Sequence, residues 1–466
     1  MDSLDLSRLQ FATTSIYHFL FVPITIGLAL LVAILHTRWY RTGDTDLRRL
    51  TRFFGTLMLI NIAIGVVTGL VQEFQFGMNW SAYARFVGDV FGAPLAMEGL
   101  LAFFLESTFL GLWVFGWRVL PPRVHLLSAW LVAFGAMLSA MFIIAANSWM
   151  QHPVGYTTNP TTGRPQLDDI GAVFTNPVFV WSYAHVIAAS LVAGSIIMLG
   201  VSAWHLRRGS HVALFHRSAF LAIVVLVPAS MLALMAGSNL GIMEARYQPM
   251  KIAAAEAQWE TCQPCSFSVA QIGGWTPDDP VTKIIEIPNL LSILATGKPG
   301  GEVEGMNPLQ QQATEQFGAG TWYPNVFVQY WSMRTMAYLG TLVFLLSLWG
   351  AFLLWRRKLD TSRLFLRVAT WAMVTPFLIN TAGWMLAENG RQPWIVQDLM
   401  TTADGLSPSV STTMVVLSLV VFVLLYAALG AVDGFLMVRY GRRGLELEPD
   451  DDLDDDAGAR TSALTY

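Results

Sequence analysis

WAMVTPFLINTAGWMLAENGRQPW, Trp371 to Trp394, sets an apolar run of helical length against a carboxylate, Glu388, with an arginine three residues later at Arg391. In a soluble protein such a run would be a core helix, so the composition has to decide its solvent. Of 466 residues, 54% are hydrophobic and 13% charged, and the mean hydropathy is +0.50. An ordinary soluble domain has roughly 25% charged residues. Crossing about 30 Å of hydrocarbon takes about 20 helical residues. Runs that meet this need recur near 14–36, 53–74, 94–117, 125–147, 178–203, 217–240, 325–354, 365–387 and 411–436. The fold class that follows is an all-α polytopic membrane protein of about nine transmembrane helices, with the opening stretch as the eighth.

Lysine and arginine set the expected orientation, because positive loops stay on the cytoplasmic side. Alternate connections are basic: Arg38, Arg41, Arg48, Arg49 and Arg52; Arg118 and Arg123; Arg207, Arg208 and Arg217; Arg356, Arg357, Lys358, Arg363 and Arg367; and Arg439, Arg442 and Arg443. The N-terminus is therefore expected outside and the C-terminus in the cytoplasm. A charged leader and a small-residue cleavage site are missing, so the first run is expected to be a mature helix. The chain divides into helices one to six (1–240), an extracytoplasmic loop (241–324), helices seven to nine (325–440) and an acidic tail (441–466) expected to be disordered. The net charge of −4 mostly reflects that tail, and nothing points to nucleic acid. Cys262 and Cys265 fall in the outer loop, where an oxidising compartment suits a disulfide; two free thiols are the alternative, and a metal site would need a second pair of ligands.

A charge at the bilayer centre costs at least about 2.5 to 3.5 kcal/mol, so each one inside a span is a functional hypothesis. Helix one carries His18 and helix five His185; helix three carries Glu98 and Glu106; helix seven brings Arg334 and Met336; helix eight ends on Glu388. On a regular helix the eight-residue step from Glu98 to Glu106 turns about 800°, leaving them about 80° apart with Glu106 about 12 Å deeper. Taken singly, each has a bland reading: a histidine bonded across a helix interface, a packing methionine, a snorkelling arginine. Together they gather in the outer half of the membrane. An imidazole and a thioether at comparable depth form a six-coordinate haem site of the kind that raises potential, and Arg334 could then neutralise a propionate. With no CxxCH any haem is non-covalent, and a haem-copper centre, which needs several histidines, is disfavoured.

The chain also resembles subunit I of the cytochrome bd quinol oxidases, in motifs that occur in order over nearly its whole length. They are SRLQFA (Ser7–Ala12) with His18, GLVQEFQFGMNW (Gly69–Trp80), Glu98 with Glu106, NSWMQHPVG (Asn147–Gly155), His185, QPMKIAAAEAQWET (Gln248–Thr261), MRTM (Met333–Met336) and GWMLAENGRQPW (Gly383–Trp394). The resemblance implies that His185 and Met336 ligate haem b558, and that His18 and Glu388 each ligate one of haems b595 and d, in an order it leaves open. It implies further that Glu98 stands beside the high-spin pair, Glu106 belongs to a proton path, and Lys251 and Glu256 bind quinol. Arg8, Arg334 and Arg391 become haem-pocket or propionate partners, and Trp384 an aromatic residue between haems. Met78 and Asn389 are small departures at positions not expected to be ligands, and the outer loop is of the short type.

The implied activity is oxidation of ubiquinol or menaquinol at the outer face and reduction of dioxygen to water, building a proton motive force without pumping. The implied setting is the bacterial inner membrane, beside a second membrane subunit and a small single-helix one. The stretch PMKIAAAEAQWE is good helix-forming sequence that by itself reads as a solvated surface helix, and the resemblance makes it the quinol site. The rival classes are an ion-coupled transporter, for which no convincing internal repeat is seen, and a cytochrome b-type carrier with paired histidines.

Overall fold

A computed structural model of the chain describes residues 2–443. The acidic tail lies outside the described residues except for Gly441–Arg443, which continue the last helix. Among the described residues nine helices are long and apolar enough to cross a membrane: α1 (Ser3–Thr42), α2 (Thr45–Met78), α3 (Ser81–Arg118), α4 (Pro122–Gln151), α5 (Pro177–Arg208), α6 (Val212–Tyr247), α7 (Val326–Trp355), α8 (Arg363–Gly390) and α9 (Thr412–Arg443). Each expected span falls inside one of them, apart from a single residue at the start of the seventh and ninth. The helices run past the hydrocarbon length because their ends are polar and capped: Asp2 and Asp44 accept from the first-turn amides of α1 and α2, and Gly43 and Gly209 close α1 and α5 in the left-handed conformation that favours glycine.

The connections separate the two ends of the bundle. At the basic end they are short, and ion pairs hold them: Arg217 to Asp44 at 2.5 Å and His216 to Asp360 at 2.8 Å. At the other end, where α1 begins, lie three antiparallel hairpins: β1 (Tyr156–Thr158) with β2 (Pro165–Leu167), β3 (Phe267–Ile272) with β4 (Thr282–Ile287), and β5 (Trp394–Val396) with β6 (Met400–Thr401). α6 continues to Tyr247, so the long connection begins later than position 241. It holds short helices at Pro249–Ala255, Leu290–Thr296 and Met306–Phe317, and Cys262 and Cys265 form a disulfide.

The main apolar core fills the basic half of the bundle, where Leu28, Leu31, Leu35, Phe54, Met198 and Phe215 are completely or almost completely buried. Small residues let α1 and α5 touch: a Cβ on Gly194 would stand 2.6 Å from the Cα of Gly27, the close approach typical of helix pairs in lipid. The opposite half is occupied by the polar candidates.

Two helices are irregular there. α3 passes through a π-helical turn, Glu98–Phe103, which acts as one inserted residue. The eight residues from Glu98 to Glu106 then turn like seven, about 700°, so the two carboxylates stand about 20° apart rather than about 80°. In α8 a 3-10 turn, Ala372–Val374, precedes Pro376. Proline cannot donate to the carbonyl four residues back, and the Thr375 hydroxyl donates to that Ala372 oxygen instead, at 2.8 Å.

Candidate functional site at the hairpin end of the bundle

His185 on α5 meets α6. Its Nδ1 is 2.9 Å from the Ala233 carbonyl; a carbonyl only accepts, so the proton is on Nδ1 and the Nε2 lone pair is free. A metal-binding histidine is oriented in this way, through its other nitrogen. One turn along α6, a Cβ on Gly237 would lie 3.0 Å from the His185 Cε1, so a larger residue there would crowd the ring. Met336 on α7 has the same backing, since a Cβ on Gly383 of α8 would lie 3.1 Å from its Sδ. His18 on α1 repeats the pattern against α2. Its Nδ1 is 2.9 Å from the Thr68 hydroxyl, and a Cβ on Gly69 would lie 3.1 Å from its Cε1.

The membrane carboxylates have distinct surroundings. Glu98 accepts from the Ser139 hydroxyl at 2.7 Å, and Glu106 lies against Gly135 of α4, where a Cβ would come within 3.0 Å of its own Cβ. Glu388 lies in the last turn of α8 and accepts at Oε2 from Arg391 Nε at 2.8 Å and also from Nη2. Its Oε1 accepts from Asn147 Nδ2 at 2.9 Å. Arg391 is also tied to the Ile395 carbonyl. The arginine of the opening stretch is therefore the partner of its carboxylate. Trp384 lies one helical turn before Glu388, partly buried on the same face. Arg8 is exposed and lines an open cavity of about 270 Å³ with Trp322, Gln392 and Pro393.

The stretch read as a possible solvated helix is buried instead. Lys251 is 1% exposed and donates to Gln151 Oε1 at 2.6 Å and to Glu244 Oε1 at 2.9 Å. The helix stops at Ala255, so Glu256 is its cap and does not lie on its face. Ala257 turns the chain at φ +48°, a left-handed position that costs a non-glycine residue roughly 1–2 kcal/mol, and the Gln258 amide closes back on Ala253. That turn aims Glu256 at Arg334, with Nη2 to Oε2 at 2.7 Å and both side chains 1% exposed. The guanidinium also donates to the carbonyls of Ser268 and Ala255 and lies 3.4 Å above the Tyr330 ring. Glu256 Oε1 is buried with no partner among the described residues. Burial pushes this carboxyl up to about 7, against the opposing pull of Arg334 and Lys283.

A match to the cytochrome bd terminal oxidase subunit I family model covers residues 6–445. The chain belongs to that family. It is 43% identical over 453 residues to cytochrome bd ubiquinol oxidase subunit 1 of Bacillus subtilis (strain 168), covering 96% of this chain and 95% of the relative. It is 37% identical to cytochrome bd-II ubiquinol oxidase subunit 1 of Escherichia coli (strain K12), covering 95% and 97%. The fold matches the bd oxidase structure from Geobacillus thermodenitrificans with a TM-score of 0.85 at 29% identity, covering 95% of this chain and 99% of that one. As a member of the cytochrome bd family the protein is a haem-bearing, multi-pass protein of the bacterial inner membrane. The transporter and cytochrome b readings fall away.

In this cytochrome bd subunit the sequence reading passed over several residues of the site. Asn147 and Gln151 stood in a quoted motif without a role, although their spacing of four puts them on one helix face. Glu244 and Thr68 were given no role. Asp433 in α9 was open to the same rule that found Glu98. Its Oδ1 and the hydroxyls of Tyr17 and Tyr426 are buried without partners among the described residues, and the two tyrosine rings stack at 4.6 Å.

Proposed function

We propose that this chain, the haem subunit of a quinol:oxygen oxidoreductase, holds haem b558 between His185 and Met336, and places the high-spin haems b595 and d at His18 and Glu388. The carbonyl-anchored ring of His185, with its free Nε2 and glycine backing, is the observation that supports this best. One imidazole and one thioether on separate helices would be the protein's two ligands to that haem. Haem supplies one-electron chemistry and an iron position at which dioxygen binds.

The protein's own groups do the rest. The unpartnered Glu256 Oε1 accepts a quinol hydroxyl. Lys251, which spends two of its three N–H groups on Gln151 and Glu244, keeps one for the other quinol oxygen. Two quinols give two quinones, four electrons and four protons; one dioxygen takes up four electrons and four protons to give two waters. With the hairpin end outside, the first protons leave on the outer face. Glu106 and Glu98, on one line of α3, pass the second set up from the cytoplasm. Charge then crosses the membrane without a pump.

Arg391 fixes the Glu388 carboxylate, Arg334 and Arg8 serve propionates or the pocket, and Trp384 lies between haems. α3 turns Leu100, Phe104 and Phe115 outward, 71%, 65% and 82% exposed, and this is the face that subunit II covers. A small single-helix subunit completes the complex, and the donor is ubiquinol or menaquinol.

Optical spectroscopy of the dithionite-reduced complex, with a pyridine haemochrome assay, tests the reading. A spectrum without a chlorin-type band in the red, or full oxidase activity in His18→Ala, would sink the oxygen-site assignment. A low-spin haem signal retained in both His185→Ala and Met336→Leu would sink the b558 assignment.

A further inference from the structure

Four side chains from three separate segments form one continuous line of hydrogen bonds at the hairpin end. Lys251 Nζ donates to Gln151 Oε1 at 2.6 Å, Gln151 Nε2 to Asn147 Oδ1 at 2.8 Å, and Asn147 Nδ2 to Glu388 Oε1 at 2.9 Å. Chemistry forces the direction of the line from both ends. An ammonium only donates and a carboxylate only accepts. Asn147 must therefore turn its NH2 to Glu388 and its oxygen to Gln151, and Gln151 must turn its NH2 to Asn147 and its oxygen to Lys251. Neither amide can flip without setting two acceptors or two donors against each other. Bonds aligned in one sense polarise one another in a low-dielectric surrounding, and Lys251 and Gln151 are 1% and 4% exposed.

We infer that Gln151 and Asn147 are positioning residues that couple occupancy of the Lys251 site to the carboxylate of Glu388. The inference rests on the reading of Lys251 as a quinol-binding residue and of Glu388 as a haem ligand. A quinone or quinol oxygen that takes the third Lys251 N–H draws on the same ammonium that polarises Gln151. The bond to Gln151 weakens, Asn147 donates less strongly, and Glu388 Oε1 becomes more electron-rich. Filling the donor site thus changes the ligand field at the oxygen side with no movement of a helix. Arg391, which holds the other oxygen of Glu388, keeps the carboxylate in place while its Oε1 is tuned.

The test uses the assembled oxidase, oxidised and anaerobic, titrated with decylubiquinone while the haem spectrum is recorded. Wild type is expected to show a saturable shift in the high-spin haem bands. Gln151→Met, close in shape but without hydrogen bonds, is expected to lose that shift while keeping its haem content. Gln151→Glu retains an acceptor for Lys251 but has no N–H for Asn147, and is expected to lose the shift as well. A high-spin response of wild-type size in either variant overturns the coupling. So does its absence in a wild-type enzyme that oxidises quinol. A wild-type complex that oxidises no quinol overturns instead the reading on which the coupling rests.

Discussion

Arg334 and Glu256 form an ion pair at 2.7 Å in which each side chain is 1% exposed, although 78 positions separate them. It ties the first turns of α7 to the end of the short Lys251 helix, so the loop that is proposed to receive quinol is clamped to the helix that carries Met336. Removing one member of a buried, hydrogen-bonded pair leaves the other without its partner and costs about 3–5 kcal/mol. Arg334→Leu is therefore expected to lower quinol oxidation by tenfold or more and to lower the thermal midpoint of the complex. Lysine, a point charge without the planar fork, should restore only part of either. Wild-type activity and stability in Arg334→Leu would remove the clamp from the account.

The burial of Glu256 gives a pH signature. Its carboxyl lies at about 7 in the folded chain against an ordinary 4.5, so it holds its proton below about 7 and releases it above. If the ionised form receives the quinol proton, kcat/KM for quinol should rise with pH through about 7 to a plateau, and Glu256→Gln should lose that limb together with most of the activity. The stability linkage has the opposite sense. A raised folded pKa contributes stability that is fully present below about 4.5 and is lost as pH rises through about 7. Thermal midpoints of wild type and Glu256→Gln, measured between pH 5 and 8, should draw apart in that sense as pH rises.

Glycine backing of the proposed ligands predicts selective spectral damage. A Cβ on Gly237 would stand 3.0 Å from His185 Cε1 and one on Gly383 3.1 Å from Met336 Sδ, both tighter than ordinary contact. Gly237→Ala and Gly383→Ala should shift or abolish the low-spin haem bands and leave the high-spin bands in place. Loss of high-spin bands alone would show that the pairing of ligands with haems is wrong.

Thr68 is expected to matter through His18. Thr68→Val deletes the hydroxyl that meets Nδ1 at 2.9 Å, and a buried polar group left unpaired costs about 1–3 kcal/mol. The variant should hold less high-spin haem per subunit in a haemochrome assay, and Thr68→Ser should restore it. Equal haem content in all three forms would leave His18 positioned by packing alone.

Much of the site was legible as residue types and very little of it as pairs. His18, His185, Met336, Glu98, Glu106 and Glu388 stood out because a polar group inside a lipid-length run is costly, and that signal is local. Arg391 stood three residues from Glu388 but was given to the haem pocket or a propionate, and the structure pairs it with that carboxylate. Arg334 could not be matched to Glu256, nor Lys251 to Gln151 and Glu244, and the alanine-rich stretch was read with a possible solvated face although its lysine is 1% exposed. The π-helical turn in α3 escaped periodicity altogether, since hydrophobic spacing in an all-apolar helix does not report a single inserted residue.

Hydropathy and charge act residue by residue along a helix, so the solvent, the nine spans, the alternation of basic loops and the candidate ligands could be read from the chain alone. Which polar groups face one another depends on how the helices pack. Asn147 and Glu388 are 241 positions apart and Lys251 and Gln151 are 100, and no local preference encodes such a contact. It arises from helices that cross where small residues let them approach, and from the requirement that each polar group taken from water find its partner there.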